Sequence, residues 1–347
     1  DKSMGLAKIE AFFHPLVLLL IGVSTLLTIY IGGLQAIKGN ITAGNIAEFV
    51  IYVNMLTWPV MAIGWVASVI QRASASQERI NEFLNTEPDI LIESDEIYPL
   101  KGDIKFQNVS FVYPDTGIKA IDQVSFHLKN GEKLAIVGKT GSGKTTLADL
   151  ILRMYDVTSG EILIDDKNIQ AHSLKAIRER TGYVPQDVFL FSENISENIR
   201  FGKPTATQEE IETYTKYASI YEEIKGLKEG FETVVGERGV TLSGGQKQRV
   251  SIARALIKEP DILIFDDCLS AVDTTTEQRI LNYFDTVLTN KTAIIITHRI
   301  YSLLDFDKII VLDEGRITEI GTHEELLTNK GFYFDMFEKQ KVEEKVA

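Results

Sequence analysis

Lys133-Leu134-Ala135-Ile136-Val137-Gly138-Lys139-Thr140-Gly141-Ser142-Gly143-Lys144-Thr145 is the stretch that decides the fold of this chain. Its first five residues form a short apolar run of the kind that makes a buried strand. Gly138 to Thr145 then matches G-x-x-x-x-G-K-[ST], a loop whose backbone N–H groups form a nest for nucleotide phosphates. From Lys144 a helix is expected to run to Met154. A strand that feeds a glycine-rich loop and then a helix opens an α/β domain with a largely parallel sheet. Further strands are expected at Ile104–Tyr113, Ala120–Leu128, Glu161–Ile164, Ile262–Phe265, Ala293–Ile296 and Ile309–Leu312.

The chemistry follows from the residue types. Lys144 is expected to reach the β- and γ-phosphates, and the Thr145 hydroxyl to coordinate Mg²⁺ at a helix N-terminus that favours anions. Gly138, Lys139, Thr140, Gly141, Ser142, Gly143, Lys144, Thr145 and Thr146 are therefore candidate ATP contacts. Ile262-Leu263-Ile264-Phe265-Asp266-Asp267 reads as a buried strand that ends in two carboxylates. Asp266 is expected to hold Mg²⁺, directly or through water, and Asp267 to lie beside the attacking water.

Upstream, the chain changes character. Leu16 to Ile37 is almost wholly apolar, long enough for a helix to cross a hydrocarbon layer ~30 Å thick. Ile46 to Ile70 is a second candidate span, and the short turn-rich segment between them joins antiparallel neighbours. Lys2, Lys8, Arg72 and Arg79 flank the pair, while the connection carries only Lys38, so both ends are expected in the cytoplasm. Asn54 and Trp58, inside the second span, are candidates to line a substrate cavity, although Asn54 could equally bond a neighbouring helix. Two helices cannot enclose a transport path, so further helices are expected upstream of Asp1. The expected organisation is a transmembrane part over 1–85 that ends in a cytoplasmic helix, a linker over 86–102, an ATP-binding domain over 103–341 and a tail over 342–347.

The first eighty residues carry net charge +1, which leaves −14 for the rest. So acidic a domain argues against nucleic acid as a partner, because nonspecific binding runs on Lys and Arg. The single cysteine, Cys268, excludes an intrachain disulfide and fits a reducing compartment.

Leu242-Ser243-Gly244-Gly245-Gln246, about one hundred residues after the phosphate loop, is the signature sequence of ATP-binding cassette (ABC) proteins. Other segments strengthen the resemblance to this family, and within it to exporters with fused membrane and ATPase domains. Tyr113, in Phe111-Val112-Tyr113-Pro114, matches an aromatic that stacks on adenine. Gln186, in Tyr183-Val184-Pro185-Gln186, matches a glutamine that senses Mg²⁺ and water. Val235-Gly236-Glu237-Arg238-Gly239 resembles the exporter segment before the signature. Ser270-Ala271-Val272-Asp273 resembles a loop that crosses the interface between two ATPase domains, and His298 matches a histidine that contacts the γ-phosphate.

The resemblance implies an α/β P-loop NTPase domain of ABC type, preceded by an all-α transmembrane segment. Ser243, Gly244, Gly245 and Gln246 would then act on ATP held by a second half-transporter. Asp267, Gln186 and His298 would be catalytic, and Thr145, Gln186 and Asp266 would serve Mg²⁺. Asp273 would lie near the nucleotide. The family usually carries Glu at the position of Asp267. Asp is one methylene shorter, and misplacement by about 1 Å can cost ~10²-fold in rate. That substitution resembles the slow site of heterodimeric exporters and favours a heterodimer over a homodimer. The alternative to a full exporter half is a mainly regulatory, slowly hydrolysing subunit. The expected setting is a bacterial plasma membrane with the ATPase domain cytoplasmic. The exported substrate, an amphipathic drug or a lipid-like molecule, is not specified.

Overall fold

The computed structural model describes residues 2–90, 94, 96–287, 291–299 and 306–344. It divides into two units, 1–89 and 90–347. The first unit is a helical hairpin, α1 (Lys2–Ile37) and α2 (Ala43–Asn85). Thr42 starts α2 through a capping box with Asn45, whose side-chain oxygen accepts the Thr42 N–H at 2.9 Å. Both helices are long and apolar enough to cross a membrane. No residue of α2 is buried, so apolar side chains such as Leu56, Trp58 and Ile63 face outward. Asn54 donates to Val50 O at 2.8 Å within its own helix. Trp58 is exposed. The cytoplasmic helix expected after the second span is not separate: α2 runs on for 43 residues, about 65 Å at 1.5 Å per residue.

The second unit holds two sheets. β1 (Ile104–Val112), β2 (Lys119–Leu128), β4 (Ser159–Ile164) and β5 (Lys167–Asn168) form an antiparallel sheet ordered β2-β1-β4-β5. β3 (Lys133–Gly138), β6 (Thr181–Val184), β7 (Ile262–Asp266), β8 (Thr292–Ile296), β9 (Lys308–Asp313) and β10 (Arg316–Gly321) form the core sheet, ordered β10-β9-β3-β8-β7-β6. All its pairings are parallel except that of β9 with β10. β7 and β8 are buried along their whole length, which explains why they read as largely continuous apolar runs rather than alternating ones.

Short helices surround the sheet: α3 (Lys144–Ile151), α4 (Leu174–Arg180), α5 (Ile195–Arg200), α6 (Gln208–Tyr217), α7 (Tyr221–Lys225), α8 (Gly244–Leu256), α9 (Thr274–Val287), α10 (His323–Asn329) and α11 (Phe332–Glu344). α3 stops before Met154 because Arg153 adopts a left-handed φ of 47°. Three strands had no counterpart in the sequence reading: β5, β6 and β10. β5 and β6 are 2 and 4 residues long, too short for a periodicity to register.

The segment expected as linker is part of the second unit from Ile90 onward. Leu100 is buried, and its N–H donates to the Asp261 carboxylate at 3.0 Å. The Asp165 carboxylate accepts the N–H groups of Lys101, Gly102 and Asp103 at 2.8, 3.0 and 3.0 Å. Asp165 (φ 53°) and Asp166 (φ 62°) make the left-handed turn between β4 and β5, a conformation Asp tolerates better than most residues. Asp165→Ala should destabilise the second unit by about 2 kcal/mol, through three lost charge-assisted bonds and a strained turn. Amide exchange at Lys101–Asp103 should quicken at least ~10-fold; unchanged exchange there would contradict the assignment.

Candidate functional site

β3 delivers the phosphate loop to the C-terminal edge of the core sheet, where ligands of open α/β sheets bind. Gly143 starts α3 in the left-handed conformation, with φ 100°. A Cβ there would come within 2.5 Å of Ala120 O on β2, so only glycine fits. On the other flank the Gly315 N–H donates to Ser142 O at 3.0 Å. The loop is thus gripped between β2 and the β9–β10 turn.

Lys144 is 7% exposed. Its ammonium donates to Gly138 O at 2.9 Å and Lys139 O at 2.8 Å. Burial lowers its pKa, against the attraction of Asp266 and Asp267. Those carbonyls occupy donors that phosphate oxygens would take.

The loop opens into a cleft of about 500 Å³, lined by Thr140, Gly141, Gly143, Lys144, Thr145, Thr146, Tyr113, Gln186, Asp266, Asp267 and His298 among others. Residues from β1, α3, β6, β7 and β8 thereby meet. Tyr113 donates to or accepts from Thr146 Oγ1 at 3.0 Å, and its ring packs edge-on against Phe111 and Tyr155. Gln186 lies just after β6 and is exposed at the cleft. His298 is half-buried after β8, and its carbonyl accepts from Gln340 Nε2 on α11. The Lys139 side chain turns away, 3.5 Å from Asp313 and over the Phe332 ring; Ser142 is buried.

Asp266 is 1% exposed. Burial pushes its pKa up, while a hydrogen bond from Thr145 pulls it down. Its Oδ2 is buried without a hydrogen-bond partner, an arrangement that a cation or its water would satisfy. Among the described residues no three His, Cys, Asp or Glu side chains converge as a metal cage. One carboxylate, one hydroxyl and ligand phosphates instead suit Mg²⁺, which takes few protein ligands and keeps several waters. The residues present therefore fit Mg²⁺.

Asp267 adopts a left-handed φ of 46°, with its N–H donating to Ile296 O at 2.9 Å. Burial raises its pKa, opposed by His298, Lys144 and Arg299. Non-glycine residues in this region carry strain and cluster at functional sites.

The signature lies outside the cleft. Ser243 caps α8: its hydroxyl accepts the Gln246 N–H at 3.3 Å, and Gln246 Oε1 accepts the Ser243 N–H at 2.9 Å. Gln246 also donates to Glu223 at 3.0 Å. Ser243 and Gly244 are exposed, leaving the N-terminus of a 13-residue helix free to meet an anion. Asp273 is exposed and accepts the Thr276 N–H at 3.0 Å; hydrogen bonds from the Thr276 side chain and then its N–H lower the Asp273 pKa. None of these residues lines the cleft.

Ile118, Lys119, Glu314 and Gly315 also line it and were missed from sequence. Glu314 (φ 45°) and Gly315 (φ 77°) form the two-residue turn of the β9–β10 hairpin. The available signal was a Glu-Gly pair between two β-branched runs.

Residues 121–270 match the family described as ABC transporter. A Bacillus subtilis protein, the probable multidrug resistance ABC transporter ATP-binding/permease protein YheI, is 43% identical over 344 residues, covering 99% of this chain and 59% of its own length. The multidrug resistance-like ATP-binding protein MdlA of Escherichia coli is 40% identical over 342 residues, covering 99% of this chain and 58% of its own length. A solved structure of a bacterial Atm1-family ABC exporter with ATP bound superposes with a TM-score of 0.75 at 36% identity, covering 98% of this chain and 58% of that one. The chain therefore carries an ABC transporter domain over residues 121–270 and is similar, over nearly its whole length, to an ATP-binding/permease protein and to a solved ABC exporter. It spans 58–59% of the length of these relatives.

Asp149 on α3 is half-buried behind Asp266; burial, with a smaller push from the Asp266 charge, moves its pKa up to about 6. A folded pKa above the unfolded value means the folded state holds this proton more tightly. The protein therefore loses stability from this group as pH rises from about 4 to about 6. In nucleotide-free, chelated protein Asp149→Asn should stabilise by about 1 kcal/mol at pH 7.5, a figure discounted for partial exposure. The gain should shrink as pH falls to 5. A gain independent of pH, read by thermal unfolding, would contradict the assignment.

Proposed function

We propose that this chain is part of one half of an ATP-driven exporter, in which ATP closes two ATPase domains and hydrolysis resets them. The observation that carries this reading is the division of the site. The phosphate loop, Asp266, Asp267, Gln186 and His298 share one cleft, whereas Ser243, Gly244, Gly245 and Gln246 sit at an exposed helix end outside it. A γ-phosphate in the cleft would then be completed by the corresponding helix end of a second chain.

In this reading Tyr113 stacks on the adenine, an undemanding contact with weak base discrimination. The backbone of Gly138–Gly143, Lys144 and Thr146 bind and orient the phosphates. Thr145 and Asp266 would hold Mg²⁺ with Gln186 nearby, and the ion would supply positive charge beside the phosphates. Asp267 orients the attacking water and accepts its proton, and His298 contacts the γ-phosphate from β8.

Asp267 favours a heterodimer. Its short side chain, in a left-handed turn, has less reach than a glutamate would. This subunit would then be the slow half whose intact signature serves a faster partner. A mainly regulatory role is the limiting form of the same reading. The helical hairpin, with its outward apolar faces, is placed across a bacterial plasma membrane with the ATPase domain in the cytoplasm. Substrates of amphipathic character are favoured, in keeping with the multidrug descriptions of YheI and MdlA.

Asp267→Glu should raise ATP turnover at this subunit's phosphate loop by ~10-fold or more, because it restores reach at a distance-sensitive step. Lys144→Ala should abolish turnover there. Mg·ATPase rates of the assembled transporter in lipid discs, with hydrolysis at the partner's phosphate loop blocked by the corresponding Lys→Ala change, decide the matter. An unchanged rate in Asp267→Glu would remove the argument from side-chain reach.

A further inference from the structure

The loop that runs from Asp267 to Asp273 contributes little to the cleft lining, yet side chains hold it from two sides. On one side stands Arg299, immediately after His298. Its Nη2 donates to Ser270 O at 3.0 Å and its Nη1 to Val272 O at 3.0 Å. Nη1 also donates to the Glu277 carboxylate on α9. Glu277 is only 4% exposed; burying such a carboxylate is costly unless it is paired. On the other side Gln248 of α8, 7% exposed, accepts the Ala271 N–H at 3.2 Å. α8 also presses close at Gly245, where a Cβ would come within 2.8 Å of Ala271 O.

Three consecutive residues, Ser270, Ala271 and Val272, therefore have backbone groups fixed by side chains from β8's end and from α8. The hold extends back to Asp267. The Ser270 hydroxyl donates to Asp267 O at 2.8 Å, at the residue whose φ is 46°. A left-handed non-glycine residue persists only where its surroundings over-determine it.

We infer that Arg299, anchored by the buried Glu277, is a positioning residue for this loop: it sets the place of Asp267 through Ser270 and the start of α9 through Val272. The inference rests on the proposed ATP-hydrolysing function for its catalytic consequence, though not for its geometry. A guanidinium is needed because one planar fork reaches two carbonyls and a carboxylate at once; an ammonium presents a single point charge. The clamp joins the strand end that carries His298 to α8, whose first residues are the signature. Neither Arg299 nor Glu277 lines the nucleotide cleft, so their loss should leave ATP affinity largely intact.

The test uses the full transporter in lipid discs and two variants: Arg299→Lys, and the double variant Arg299→Gln with Glu277→Gln. The double variant removes both charges and so leaves no buried carboxylate unpaired, which keeps a loss of function separable from a loss of fold. Turnover at this subunit's phosphate loop should fall about 10- to 100-fold in both. The ATP concentration for half-maximal rate should move less than ~3-fold, a split that general unfolding would not produce. Amide exchange at Ala271 and Val272 should quicken at least ~10-fold, while that of Ala293–Ile296 stays as in the wild type.

Turnover within ~2-fold of wild type in both variants, or unchanged protection at Ala271 and Val272, would overturn the inference. A full transporter without ATP turnover at either phosphate loop would count against the proposed function instead. The exchange measurement still decides the clamp in that case: lost protection supports it and retained protection overturns it.

Discussion

The grip on the phosphate loop is the constraint on which the rest of this structure depends. Ala120 O on β2 and Gly315 N–H in the β9–β10 turn hold Gly143 and Ser142 in place. This pins the antiparallel sheet to the core sheet at the point where the nucleotide phosphates would sit. Lys144 is buried within that grip and bonds loop carbonyls. A buried ammonium without oxygen partners would cost several kcal/mol, so the cradle is stable when empty. Binding then exchanges carbonyl for phosphate oxygens around a preformed loop, and little ordering cost falls on the ligand.

The same grip sets the cleft apart from the signature. The parallel strands β3, β7 and β8 end on one side of the sheet and bring Lys144, Asp266, Asp267 and His298 together. The signature begins α8, a helix packed beneath the sheet, and Ser243 opens outward. Gln248 and Gly245 fix α8 against the Ser270–Asp273 loop, so small adjustments cannot swing Ser243 into the cleft. A second chain with the same motifs meets the requirement by symmetry or pseudosymmetry. Asp267, the proposed base, is also a residue held in a strained conformation.

Much of this was legible in the sequence, for reasons that differ from residue to residue. The phosphate loop and the Ile262–Asp267 run are local signals: their residue types and order carry the chemistry directly. The hairpin helices were legible from their long, mostly apolar stretches. Tyr113, Gln186 and His298, which line the cleft, were singled out only through family resemblance, since each is bland alone; Asp273, singled out the same way, lies outside it. Three kinds of feature were not legible. β5 and β6 are too short to show a period. The docking of Leu100–Asp103 on Asp165 and Asp261 rests on contacts between residues far apart in the chain. The left-handed turn at Asp267 and the Arg299–Glu277 pair depend on tertiary packing that no single-sequence pattern encodes.

The heterodimer reading turns on whether this subunit can turn over ATP by itself. The most direct measurement is the Mg·ATP turnover of the full-length subunit purified alone in lipid discs, set against the same subunit reconstituted with its partner, with a Lys144→Ala control in each. A weak base at Asp267 predicts ATP binding with little turnover alone and a large rise on pairing. Rapid turnover by the subunit alone, abolished by Lys144→Ala, would contradict the account and make this chain a self-sufficient homodimer in which aspartate serves fully as the base.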